Sequence, residues 1–155
     1  MASEMFEKVN LMLRLFELRR EEKLRKARQW YVDHFVAHTP EEMMQKYPPG
    51  SEENAYIRMV VSYWDMCAGI ANRGLVDDDL FFMNSGEAWL VYEKLRAVVP
   101  AWRAAFNNPM IFTELETFVT RLEEWREKRA PGSNEATRKI MAMMAQSRAA
   151  AAKSA

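Results

Sequence analysis

"SEENAYIRMVVSYWDMCAGIANRGLVDDDLFF", residues 51–82, decides how the chain folds. Ser51 is a residue type that accepts the free N–H groups of a helix start. Gly74 is the type that ends a helix in the left-handed conformation. Between them, Tyr56, Ile57, Val60, Val61, Tyr63, Trp64, Cys67, Ala68, Ile70 and Ala71 cover most of a helical circumference. Only Arg58, Ser62, Asp65, Gly69 and Asn72 interrupt it, and their spacing places them on one narrow stripe. A helix that is apolar nearly all round belongs at the centre of a fold. Past the glycine, Asp77, Asp78 and Asp79 precede an apolar helical pattern. Aspartates there accept first-turn N–H groups and sit at the positive end of the helix dipole. The alternating oxygen ligands, glycine and terminal glutamate of a calcium loop are absent, so the triplet reads as a helix start.

Outward from this segment, period-two alternation is absent and helical spacing recurs. Residues 4–37 read as one long helix. Met5, Phe6, Val9, Met12, Leu13 and Phe16 form an apolar stripe at steps of three and four. "ELRREEKLRKAR" (17–28) is a solvated zone that offers i,i+4 pairs such as Glu21–Arg25 and Glu22–Lys26. Leu24, Ala27, Tyr31 and Phe35 then resume the stripe beside Trp30. "HTPEEMMQKYPPG" starts a short helix, with Thr39 as cap, Pro40 at the first position and Glu42 at the capping-box position. Residues 78–106 read as helical, broken near "NSG" and kinked near Pro100, with Trp89, Tyr92, Leu95, Val99, Trp102 and Phe106 facing inward. Asn108 and Pro109 restart the chain. Phe112, Leu115, Phe118 or Val119, Leu122 and Trp125 carry that helix to about Arg129. "APGSN" is a linker, and 134–152 an Ala- and Met-rich helix.

These elements predict an all-α protein: an antiparallel bundle of four main helices, a long N-terminal helix extending beyond it and a C-terminal helical tail. Domain limits fall at 1–20 (N-terminal extension), 21–130 (bundle) and 131–155 (basic tail). Among 155 residues, 49% are hydrophobic, enough to build a core without a metal or disulfide. Lys+Arg and Asp+Glu are both 22, which speaks against a nucleic-acid binder. The single cysteine, Cys67, permits no internal disulfide and fits a reducing compartment. Glu4 and Glu7 interrupt any secretory leader, and no apolar run reaches the ~20 residues that span a bilayer. The expected location is the cytoplasm.

The chemistry-bearing residues are few. His34 and His38 stand at i,i+4, weak candidates for a metal because zinc wants further ligands. The stripe Arg58, Ser62, Asp65 and Asn72 is a candidate polar pocket. A buried Asp65 needs a partner, and Arg58, Arg96 or Arg103 could supply one. Cys67 and the five tryptophans read as core. No nucleophile motif or phosphate loop occurs, so catalytic, cofactor and metal residues are expected to be absent.

Asn54 early in the apolar helix, "RGLVDDDL", "PAWR" and "NPMIFTELE" resemble a family of small bacterial and phage-associated helical proteins known only as a domain of unknown function. The resemblance covers about residues 17–125 and implies a helical fold with no catalytic residues. Members often carry an N-terminal membrane segment. Here Lys8, Arg14 and Glu17 interrupt the apolar start. The expectation for function is an interaction or assembly module acting through its terminal helices, with Met5, Phe6, Val9, Met12, Leu13 and Phe16 as interface. The partner is itself or another protein, and peripheral membrane contact by the same face is a variant of this reading. The alternative is a small-ligand-binding or metal-dependent enzyme that uses Arg58 and Asp65.

Overall fold

The computed structural model describes residues 1–154, and over these residues the protein is all-α, without a strand. The helices are α1 (Ala2–Leu18), α2 (Glu22–His34), α3 (Pro40–Lys46), α4 (Glu52–Asn72), α5 (Asp78–Asn84), α6 (Gly86–Leu95), α7 (Val99–Ala105), α8 (Thr113–Arg129) and α9 (Ser133–Ser154). Among the described residues no helix is long and apolar enough to cross a membrane. The chain forms two compact units, Met1–Val119 and the segment from Thr120 onward.

In the first unit α2, α4 and α6 pack on one another around the apolar surface of α4. Trp64, Val60, Val61, Ile57 and Cys67 are all but inaccessible, as are Tyr31 of α2 and Trp89, Val91 and Leu95 of α6. Tyr31 is buried with its polar end satisfied, because its hydroxyl donates to the Val91 carbonyl at 2.8 Å. Phe81 and Phe82 of α5 close on Phe118 at ring-centroid distances of 5.5 and 5.4 Å. In the second unit the Asn134 amide donates to the Glu123 carbonyl at 3.0 Å and Arg138 pairs with Glu123. Beyond that contact most of α9 is exposed, as its alanine-rich surface implies.

Most helix boundaries follow the capping residues. Thr39 accepts from Glu42 N (3.1 Å), Ser51 from Asn54 N (3.2 Å) and Asp77 from Leu80 N (2.9 Å). Gly74 ends α4 at φ +69. Glu42 departs slightly from a capping box, because its carboxylate reaches His38 N at 2.8 Å instead of the cap residue's own N–H.

Three boundaries differ from the sequence reading. The spacing predicts one helix over 4–37, but the chain turns at Arg19–Glu21. Glu21 leaves the helix (φ −53, ψ 136) and its carboxylate accepts from Lys23 N and Leu24 N, so it caps α2 and is not available for the i,i+4 pair with Arg25. Lys26 pairs with Glu52, not Glu22. Both sides of the turn are anchored to the core: the Tyr63 hydroxyl donates to the Leu15 carbonyl, and Arg28 donates to the Arg19 carbonyl at 3.1 Å. Second, residues 78–106 break at Ser85, within the expected "NSG", but break again at Arg96–Val98, where the sequence predicts only a kink near Pro100. Third, Pro109 does not start a helix. Residues 107–112 form turns in which Asn107 and Phe112 take positive φ (45 and 53), and α8 begins at Thr113.

Trp64→Ala removes one of the two largest fully buried side chains and should cost ~3–5 kcal/mol in a urea melt. Asp77→Ala should cost only ~1 kcal/mol, the value of one lost cap. Equal losses for the two variants would mean that α4 is not the centre of the fold.

Candidate functional site

The polar stripe of α4 does not stay together. Residues 54, 57, 58, 61 and 65 share one helical face, and this face lines a groove of about 480 Å³. Asn54, Ile57, Arg58, Val61 and Asp65 form its floor. Met43 of α3, Trp102 of α7, Phe106 and the turn Met110–Phe112 form its walls. Ser62 and Asn72 lie outside it. Ser62 is exposed and donates to the Met59 carbonyl, whereas Asn72 donates to Glu114 through both its backbone and side-chain oxygens (2.9 and 2.8 Å). The groove has the size and largely apolar lining of a small-molecule site.

The turn before α8 shapes the far wall. A positive φ at a residue as bulky as Phe112 is strained. Two contacts hold it: its ring lies 6.1 Å from that of Trp102, and Arg103 Nε donates to the Ile111 carbonyl at 2.9 Å. Phe106, predicted to face inward, caps the end of α7 and is 71% exposed at the groove rim.

Asp65 is the one ionised group of the floor that is half-buried. None of the predicted arginines is its partner. Arg96 pairs with Glu93 and Arg103 with Glu116 (3.0 and 3.1 Å), and Arg58 turns its Nε to Asn54 Oδ1 at 3.2 Å. Asp65 instead accepts the Leu115 backbone N–H at 3.0 Å. That N–H lies in the first turn of α8, where no helical carbonyl precedes it, so Asp65 caps α8 from another helix. Burial pushes its carboxyl above the usual aspartate range. The Leu115 N–H pulls it down and the nearby Glu114 charge adds to the rise. At Gly69, one turn further along α4, an added Cβ would meet the Arg73 side chain at 3.3 Å and the Glu114 side chain at an ordinary 3.6 Å.

A second polar cluster escapes the sequence reading. Arg28 of α2 grips Glu87 of α6 with two parallel bonds (Nε–Oε1 2.6 Å, Nη2–Oε2 2.7 Å), and Trp64 Nε1 donates to the same carboxylate at 2.9 Å. Arg19 lies over Phe16 at 4.3 Å and over Trp64 at 5.7 Å. Burial alone would raise the Glu87 carboxyl, but the bonds from Arg28 and Trp64 and the Arg28 and Arg19 charges outweigh it and lower it. The available signal was Glu87 itself, an acidic residue that opens the apolar run "GEAWLVY".

His34 and His38 do not form a pair on one helix, because α2 ends at His34 and Phe35 is extended (φ −66, ψ 122). His38 Nδ1 lies 3.1 Å from Glu42 instead. Among the described residues no three His, Cys, Asp or Glu side chains group as metal ligands. Burial pushes the Cys67 thiol up to about 11, which leaves it a core thiol with no thiolate character.

A family model described as a domain of unknown function, DUF4760, matches residues 5–122. The chain belongs to this family. No curated protein and no solved structure matches it. The DUF4760 match reaches further toward the N-terminus than the resemblance at 17–125 implies, and takes in most of α1. It also includes every residue that lines the groove.

Asp65→Ala leaves Leu115 N–H without its acceptor and should cost ~1–2 kcal/mol, whereas Asp65→Asn keeps an acceptor oxygen and should cost well under ~1 kcal/mol. The two differ also in pH dependence. Because the Asp65 carboxyl is raised in the fold, its protonation favours the folded state. That contribution is complete below the ordinary value of 3.8 and is lost as pH rises through the folded value. The stability of Asp65→Asn relative to the native protein should therefore rise with pH over that window and be flat above it. A flat difference throughout would mean that Asp65 is solvated like a surface carboxylate.

Proposed function

We propose that this DUF4760 chain is an assembly module that joins to a second copy of itself through α1. The observation that carries the reading is the uncovered apolar face of that helix. Met5, Phe6 and Leu13 are 47%, 66% and 56% exposed. Val9, Met12 and Phe16, on the same face, are only partly covered. The helix docks along one edge of this face, through Leu15, which is buried, and Phe16, whose ring lies 5.9 Å from that of Phe81. Exposed apolar surface of this extent usually marks an interface.

A second copy fits this face better than a charged partner does. On a helical projection the sector from Met12 through Met5, Phe16, Val9 and Leu13 to Phe6 contains no charged residue. Such a face can meet its own image about a two-fold axis without like-charge repulsion. Zero net charge removes the long-range repulsion between copies.

Light scattering across a concentration series should give a dimer mass for the native chain and a monomer mass for the double variant Phe6→Glu/Leu13→Glu. Both positions are exposed, so the melting temperature should stay within a few degrees, and a folded monomer would isolate the interface effect. A native chain that remains monomeric at millimolar concentration would sink the proposal. Native monomer that floats with anionic vesicles would replace self-assembly by shallow membrane contact.

A further inference from the structure

We propose that the groove on α4 binds a linear bipolar small molecule, with an acidic group seated on Arg58 and an ammonium group on Asp65. Three observations point to this class. First, the groove carries two opposite charges, neither of which has a counter-ion among the described residues. Arg58 spends only its Nε, on Asn54 (3.2 Å), which leaves its terminal nitrogens available to grip a carboxylate. Asp65 spends Oδ1 on Leu115 N–H (3.0 Å), and a carboxylate accepts at both oxygens. Second, the two charges do not neutralise each other. Their Cα atoms lie seven residues apart on one face of α4, about 10 Å at the helical rise, and the Arg58 guanidinium is directed back toward Asn54, away from Asp65. Third, the surface between and opposite them is apolar, with Ile57, Val61, Trp102 and Phe112 among its walls. A ligand charged at one end only would leave one of the two groups without a counter-ion. A ligand charged at both ends, with a hydrocarbon middle, satisfies both. This inference does not depend on self-assembly through α1.

The probes are the eight-carbon ω-amino carboxylic acid, whose extended length is close to that separation, with octanoate and octylamine as single-headed controls. Each is titrated into full-length protein and followed by amide and Trp102 indole chemical shifts. The ω-amino acid should bind about tenfold more tightly than either control, the value of one additional charge-assisted contact. In Asp65→Asn its advantage over octanoate should vanish while octanoate affinity is unchanged. In Arg58→Gln its advantage over octylamine should vanish while octylamine affinity is unchanged. The four-carbon homologue should show no advantage in the native protein. The unchanged control ligands show in each variant that the groove is folded. Equal affinities for all three eight-carbon probes, or no saturable shift around the groove, would overturn the proposal.

Discussion

The grip of Arg28 on Glu87, shared with the Trp64 indole, is the interaction on which the first unit depends. It joins α2, α4 and α6 at one point, and both ionised side chains are about four-fifths buried (17% and 19% exposed). Burying an ion pair is costly unless its geometry is good and its remaining bonding capacity is used. Here the geometry is bidentate, Trp64 adds a third bond to the carboxylate, and Arg28 gives a further N–H to the Arg19 carbonyl. This last bond matters for the chain path, because Arg19 lies in the turn between α1 and α2. The same cluster thus fixes the three central helices and the point at which the N-terminal helix breaks away. Lys94 does similar work at the other end of α2, where its ammonium donates to the carbonyls of Tyr31, Val32 and Phe35 (3.1, 2.6 and 3.2 Å). A cation is well placed there, at the negative end of the helix dipole.

With α2 and α6 covering most of α4, one face of that helix is left for the groove and for the start of α8. Arg58, Asp65 and Asn72 lie along it, with Ser62 exposed beside it. They share three tasks along its length. Asn72 holds the start of α8, Asp65 caps it, and Arg58 and Asn54 line the groove.

Much of this was legible in the sequence because it is local. Thr39, Ser51, Gly74 and Asp77 act within a few residues of themselves, and each performs the role its type and position dictate. The buried face of α4 was equally plain, since ten apolar positions leave a helix little choice. What could not be read depends on partners distant in the chain. The charged zone 17–28 has the composition of a continuous solvated helix, and nothing local says that Glu21 will cap or that Arg28 will find Glu87, 59 positions away. His34 and His38 keep their helical spacing only if the helix continues, and it stops because Lys94 caps it from α6. Asn108–Pro109 has every mark of a helix start. The start lies four residues later, where Asp65 supplies the cap from 50 positions upstream.

That displaced start explains how the fold tolerates an ionised group in an apolar groove. A half-buried carboxylate with no hydrogen bond would be expelled or protonated. Asp65 is retained because the first turn of α8 needs an acceptor, and helix starts favour negative charge. At the neighbouring position Glu114 accepts instead from the side chains of Asn72 and Arg73 at the end of α4. Two carboxylates therefore face one helix start, and they diverge. Glu114, bonded by Asn72 and Arg73, is held below the usual range, and Asp65, desolvated and near the Glu114 charge, is held above it. The strained Phe112 immediately before α8 sets where that start lies, and hence which residue of α4 caps it. A helix beginning at Pro109 would carry its free N–H groups away from residue 65 by about 6 Å, four residues of helical rise. Asp65 would then lose the N–H that it accepts, so the turn at Phe112 and the cap at Asp65 belong to one arrangement.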